Sequence, residues 1–280
     1  MNTLWTAPRA LDDASLLILG TLVLFQLTHY TVASWKFFKN SKGRFLKTAS
    51  VTLFWIVYGV VFVSSVTAIP SYVNAVPYVL CGLYLPSVIA IVLLLVSQKF
   101  RTFTERMSLR WMIQSVAGPA RMIVGMLFLV WFFAERLPGV VAWIAGPGDW
   151  ISGFIAFFAV GYLTIFQKTA GLSDKHWSLT SFRKATAEKP FSRNKKILVR
   201  NLHIAIILVG FGILDFILAP ASTAVSIALG EIPEAMGKLP LTLIPLVLVP
   251  QVLVLEVLAM HQLIGLKRML RNDVSKKNTI

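Results

Sequence analysis

The sequence predicts an all-α, polytopic membrane helix bundle with seven transmembrane helices, the N-terminus outside and the C-terminus cytoplasmic. Three observations carry that prediction. Of the 280 residues, 56% are hydrophobic, and the mean hydropathy of +0.74 lies beyond the range of soluble globular chains. The apolar residues gather in runs long enough to cross a bilayer. Finally, 24 of the 27 Lys and Arg fall in alternate gaps between those runs.

The basic gaps are 36–47, 99–121, 168–200 and the tail from Lys267. Cytoplasmic connections carry an excess of Lys and Arg, so these four regions are assigned to the cytoplasm. Arg9, Arg136 and Lys238 fall at the opposite ends of the spans, together with Asp12, Asp13, Glu135, Asp149, Glu231 and Glu234. The net charge of +15 therefore expresses topology, with an attraction to anionic lipid headgroups rather than to nucleic acid. The expected location is the cytoplasmic (inner) membrane, with the lipid bilayer as partner and no particular protein partner indicated.

The spans follow in order. The first, 14–35, begins after Asp12 and Asp13 and closes at Trp35 against the first basic gap; with no basic region before it, it is expected to be retained rather than cleaved. The second, 50–69, and third, 72–97, form a pair that opens at Tyr72 and closes at Lys99. Basic and apolar residues alternate at helical spacing over 106–114, which predicts an interfacial helix leading into the fourth span, 113–133. The segment 138–149, PGVVAWIAGPGD, is apolar but broken by Gly146, Pro147 and Gly148, so a re-entrant or interfacial turn with positive φ at Gly146 or Gly148 is expected there. The fifth span, 150–167, opens at Trp150 and closes at the basic stretch 168–200, read as a solvated cytoplasmic loop. The sixth, 201–219, and the seventh, 240–266, are joined by an outer loop, 222–238, whose mild amphipathicity also allows a short surface helix. Aromatic residues near the span ends are the usual interfacial anchors.

Ionisable side chains inside spans are costly and point to function. Asp215 lies about 22 Å from Arg200 along the sixth span, and Glu256 about 16 Å from Lys267 along the seventh. With Asp149 at the outer mouth and Arg121, His29, His203 and His261 toward the inner side, a polar ladder is expected. Two readings stand side by side: a proton or ion route through carboxylates that exchange protons, or interhelical bonds that hold the bundle in register. Three histidines at one level would also suit haem or a metal. No two of them share a helix at i,i+4 spacing, however, and the single Cys81 sits in a span, so no metal and no cofactor is expected. No lysine lies mid-span for a retinal Schiff base. P-loop, dinucleotide and nucleophile-elbow patterns are absent, so nothing points to an enzyme. Gly153, Ala156, Ala159, Gly161, Gly210 and Gly212 read as helix-packing positions.

The run 121–163 carries Arg121, Gly125, Phe128, Leu129, Leu137, Pro138, Ala145, Gly146, Gly148, Asp149 and Gly153. In that order they resemble the pattern of a group of uncharacterised bacterial multi-span membrane proteins: Arg-x-x-x-Gly-x-x-Phe-Leu, then Leu-Pro, then Ala-Gly-x-Gly-Asp. GILD at 212–215 with Ala219, and LPLTLIPLVLVP at 239–250, look like the same group's closing segments. The likeness covers the C-terminal half and brings no activity with it; Glu256 departs from the group, which often has His there. It raises Arg121, Asp149 and Asp215 above the other polar residues. The leading expectation is a non-enzymatic membrane protein that moves a proton, an ion or a small solute. The alternatives are a membrane-embedded sensor or accessory subunit, and more remotely a lipid-modifying enzyme.

Overall fold

In the computed structural model the described residues are 8–39, 41–116, 119–169, 178–188 and 195–277, and every regular element among them is helical. Helix α1 spans Pro8–Phe37, α2 Arg44–Thr67, α3 Tyr72–Val96, α4 Gln98–Arg106, α5 Leu109–Val116, α6 Pro119–Phe133, α7 Gly139–Thr169, α8 Leu179–Glu188, α9 Lys195–Ala228 and α10 Val249–Lys277. Six of these, α1, α2, α3, α7, α9 and α10, contain stretches long and apolar enough to cross a membrane. Only helices satisfy all backbone polar groups within hydrocarbon, so a chain of this composition folds as a multi-pass membrane protein. The most enclosed lies within Ile244–Arg271, where 72% of an 18-residue apolar stretch is buried, against at most 39% in the corresponding stretches of the other five.

The described residues of the expected fourth span, 113–133, lie in two helical stretches on either side of residues 117 and 118, which are outside the described residues. Its first part belongs to α5 and its second to α6, an apolar helix too short to rank with the other six. The interfacial helix expected over 106–114 corresponds to α5, which starts at Leu109 after a break at Met107 and Ser108 that separates it from α4.

One sequence expectation is overturned and two take a more definite form. The re-entrant turn at 138–149 does not form: α7 runs unbroken from Gly139 to Thr169 with Pro147 inside it, and the positive-φ glycines among the described residues are Gly43 and Gly230. The outer connection at 222–238, where the sequence allows a short surface helix, is partly helical, because α9 continues through Pro220 to Ala228. The basic stretch 168–200 is not wholly a loop, since α8 and the start of α9 lie within it. Residues 170–177 and 189–194, with His176, Trp177 and Pro190, lie outside the described residues.

At two of the prolines inside these helices a tyrosine hydroxyl replaces the lost backbone donor. Pro220 cannot donate to the carbonyl four residues back, Phe216 O, and the Tyr84 hydroxyl donates to it instead at 2.8 Å. Pro86 likewise frees Gly82 O, which accepts from the Tyr58 hydroxyl. Before α10, the turn Ile244–Leu248 widens to π register and Val249 N–H reaches back five residues to Ile244 O. Pro250, next in the chain, could not have donated to Leu246 O in α register.

The chain divides into two compact units. The first comprises Met1–Pro86, Ala120–Trp150 and Asp215–Val252, and its apolar core gathers Leu19, Val79, Phe128, Trp131, Ala142 and Leu246 among others. Polar ties cross that core: Trp131 Nε1 donates to Ser15 Oγ at 2.9 Å and Tyr30 Oη to Gln251 O at 2.5 Å. The second comprises Ser87–Pro119, Ile151–Leu214 and Leu253–Ile280. In it the buried Gln262 amide donates to Thr104 O at 2.6 Å and Met107 O at 2.9 Å, and accepts from Leu179 N at 3.1 Å. One side chain of α10 thus ties α4 and α8, which a Glu105–Arg183 bridge also joins at 2.7 Å.

Candidate functional site

Arg121 lies on α6 with its side chain buried, where an unpaired cation is costly. Two carboxylates offset that cost. Arg121 Nε donates to Asp149 Oδ1 of α7 at 3.1 Å, and Nη2 to Asp215 Oδ2 of α9 at 2.5 Å. The three side chains are 5%, 9% and 5% exposed, so the pairs are desolvated, and breaking such a group costs about 3–5 kcal/mol. The guanidinium carbon also lies 4.2 Å from the centre of the Phe216 ring, a cation–π contact beside the ion pairs.

Glycines make this convergence possible. A Cβ on Gly148 would fall within the Asp215 carboxylate, 3.1 Å from its carbon and closer still to Oδ1. A Cβ on Gly125 would collide with the carbonyl oxygen of Gly146 and stand 2.9 Å from Trp150 N. The Gly-Pro-Gly-Asp run thus serves close approach of α6, α7 and α9 rather than a turn.

Placing Arg121 near the inner side and Asp149 at the outer mouth is corrected by their contact. Asp149 is about 15 Å along α7 from Gly139, and Arg121 about 18 Å before the end of α6 at Phe133. Asp215 is about 20 Å before the end of α9. The reading of depth failed because α7 begins eleven residues before the expected span start at Trp150.

Beside the ion pairs lies a cavity of about 100 Å³ whose wall includes Asp149, Phe216, Phe128, Ala145, Val79 and Thr223. The wall is almost wholly apolar, with the Asp149 carboxyl as its charged member. Concave apolar sites with a few converging polar groups are where small ligands bind.

Glu256 belongs to the second unit. It is 2% exposed, and a Cβ on Gly212 would overlap its carboxylate, 3.0 Å from Cδ. A cavity of about 10 Å³ lies there, lined by Glu256, Ser152, Gly212, Ala156 and Ala159. This is about the size of a single water, and the buried Ser152 Oγ has no hydrogen-bond partner among the described residues.

His29 stacks on Phe25 within α1, ring centres 6.2 Å apart, while His203 and His261 each bury an Nε2 without a hydrogen-bond partner among the described residues. Among the described residues, no three His, Cys, Asp or Glu gather as a metal would need.

Sequence reasoning missed Phe216, Ser152 and Thr223. An aromatic residue next to Asp215 reads as packing in any apolar helix, and Ser or Thr in a span usually bonds its own backbone; the one available signal was Ser152 one turn beyond Asp149.

Compared with protein-family models, curated proteins and solved structures, the chain matches none.

Proposed function

We propose that this chain is a multi-pass protein of the cytoplasmic membrane that moves protons, alone or with a small solute, through the Arg121–Asp149–Asp215 centre. The carrying observation is that one guanidinium serves two buried carboxylates. Among these three groups a single positive charge answers two potential negative ones. A proton held on one carboxylate balances the set, and a proton held in that way can be exchanged. The likeness of 121–163 to other bacterial membrane proteins fits this reading, because the residues it singles out are the ones that meet here.

The topology we assign has α6 as the seventh crossing, the N-terminus outside and the C-terminal tail in the cytoplasm. Parity supports it: with six crossings, the basic residues after α3 and those after α7 would lie on opposite faces, and with seven they share one. Anionic headgroups are then the partners of the cytoplasmic face.

Protein reconstituted in liposomes with an internal pH-sensitive dye tests the reading. Wild type dissipates an imposed pH gradient, and Asp215→Asn, which keeps size and hydrogen bonding, falls to the rate of protein-free vesicles while assembling normally. Wild type at the protein-free rate would overturn it. A second reading, a membrane-embedded sensor or accessory subunit, is favoured by the first span, only 17% buried, whose apolar face is free for a protein partner.

A further inference from the structure

We propose that the cavity walled by Asp149 is a binding site for a small lipid-soluble amine that enters from the bilayer. The cavity lies wholly within the first compact unit, and its volume of about 100 Å³ suits roughly four or five non-hydrogen atoms, scaled from the 150 Å³ cavity that holds benzene. Its wall demands an apolar tail: Val79, Leu83, Phe128, Ala145 and Ile244 surround the space.

The head group follows from the carboxyl. Asp149 accepts one bond from Arg121, through Oδ1, whereas a carboxylate has room for about four, so acceptor capacity is left at the cavity wall. The neighbouring Asp215 shares the same guanidinium, so a second carboxylate stands near the head group and disfavours an acid. The route is apolar as well. Leu80 of α3 is 38% exposed and Ala224 of α9 is exposed, and both belong to the cavity wall. Their neighbours Val73, Leu218 and Val225 are exposed on the same two helices. A charged species would not take that path, but a neutral amine partitions into hydrocarbon. On arrival its nitrogen lone pair takes the proton held on a carboxyl oxygen; an N–H bond forms, the O–H bond breaks, and an ammonium faces a carboxylate with no other reactant.

The inference shares its centre with the functional reading but needs only occupancy. The test uses the full chain in nanodiscs, with n-butylamine, n-butanol and butyrate as probes, saturation-transfer NMR as readout and protein-free nanodiscs subtracting partition into lipid. The expected result is n-butylamine binding about tenfold more tightly than n-butanol, as a charge-assisted bond exceeds a neutral one, with butyrate not bound. Ala145→Leu, which fills the space, removes amine binding; if it does not assemble, Ala224→Leu at the mouth is read in its place. Asp149→Asn makes amine and alcohol bind alike. Equal binding of amine and alcohol to wild type, or amine binding untouched by the filling variants, would overturn the proposal. Amine binding without proton flux keeps it and removes the transport reading; flux without amine binding does the reverse.

Discussion

The hydroxyl of Tyr84 on α3 lies 2.8 Å from the carbonyl oxygen of Phe216 on α9, and that carbonyl is the one Pro220 leaves without its helical donor. The same side chain position that carries an aromatic ring over Arg121 therefore has its backbone held by a neighbouring helix. Tyr84→Phe is expected to cost about 1–3 kcal/mol, the range for an unsatisfied buried polar group. In a Pro220→Ala background the helix supplies its own N–H, and the cost of Tyr84→Phe falls to a few tenths of that. Thermal unfolding of the four proteins of this cycle in one detergent measures the coupling; equal costs in both backgrounds would falsify the replacement of donor by hydroxyl.

Gly148 and Gly161 lie on one helix and separate close packing from helix propensity. A methyl group at Gly148 meets the Asp215 carboxylate, whereas at Gly161 it meets nothing within 4 Å. Gly148→Ala is expected to destabilise by about 1–3 kcal/mol, as overpacking does. Gly161→Ala is expected to stabilise by about 0.5–1 kcal/mol through helix propensity. Unfolding midpoints that move in the same direction for both would show that the contact with Asp215 is not tight.

Arg121→Met leaves two carboxylates buried without their shared cation and is expected to cost about 3–5 kcal/mol. Adding Asp149→Asn and Asp215→Asn to the same chain should recover most of that loss, because the uncompensated charge goes with them. Yield of monodisperse protein and its unfolding temperature report the result, and a triple variant no more stable than the single one speaks against an electrostatic origin.

Reporter fusions test topology without purification. Fusions after Lys39, Arg106, Lys184 and Lys276 should report cytoplasm, and fusions near Arg9 or Glu234 the outer side. Opposite sides for the Arg106 and Lys184 fusions would mean that α6 does not cross.

Much of the architecture was legible because it is set locally. Runs of apolar residues must be helical where no water can satisfy the backbone, and the charged gaps between them are read one after another along the chain. The polar residues of interest were also visible, since Arg121, Asp149, Asp215 and Glu256 interrupt otherwise apolar stretches. Their partners were not. A shift of a helix start by a few residues moves a side chain by several ångströms in depth, and rotation about the helix axis decides which neighbour it meets; neither is written in composition or spacing. Gly146, Pro147 and Gly148 were read as a turn on the costs those residues carry in an isolated helix. In the folded chain the absent side chains admit Asp215 and the backbone of Gly125. Sequence alone thus determined that the chain is helical, multi-pass and marked by a few buried charges, because those depend on each segment's own chemistry. Only the tertiary structure decided that Arg121 joins Asp149 and Asp215 beside an apolar cavity, because that depends on how closely three helices approach.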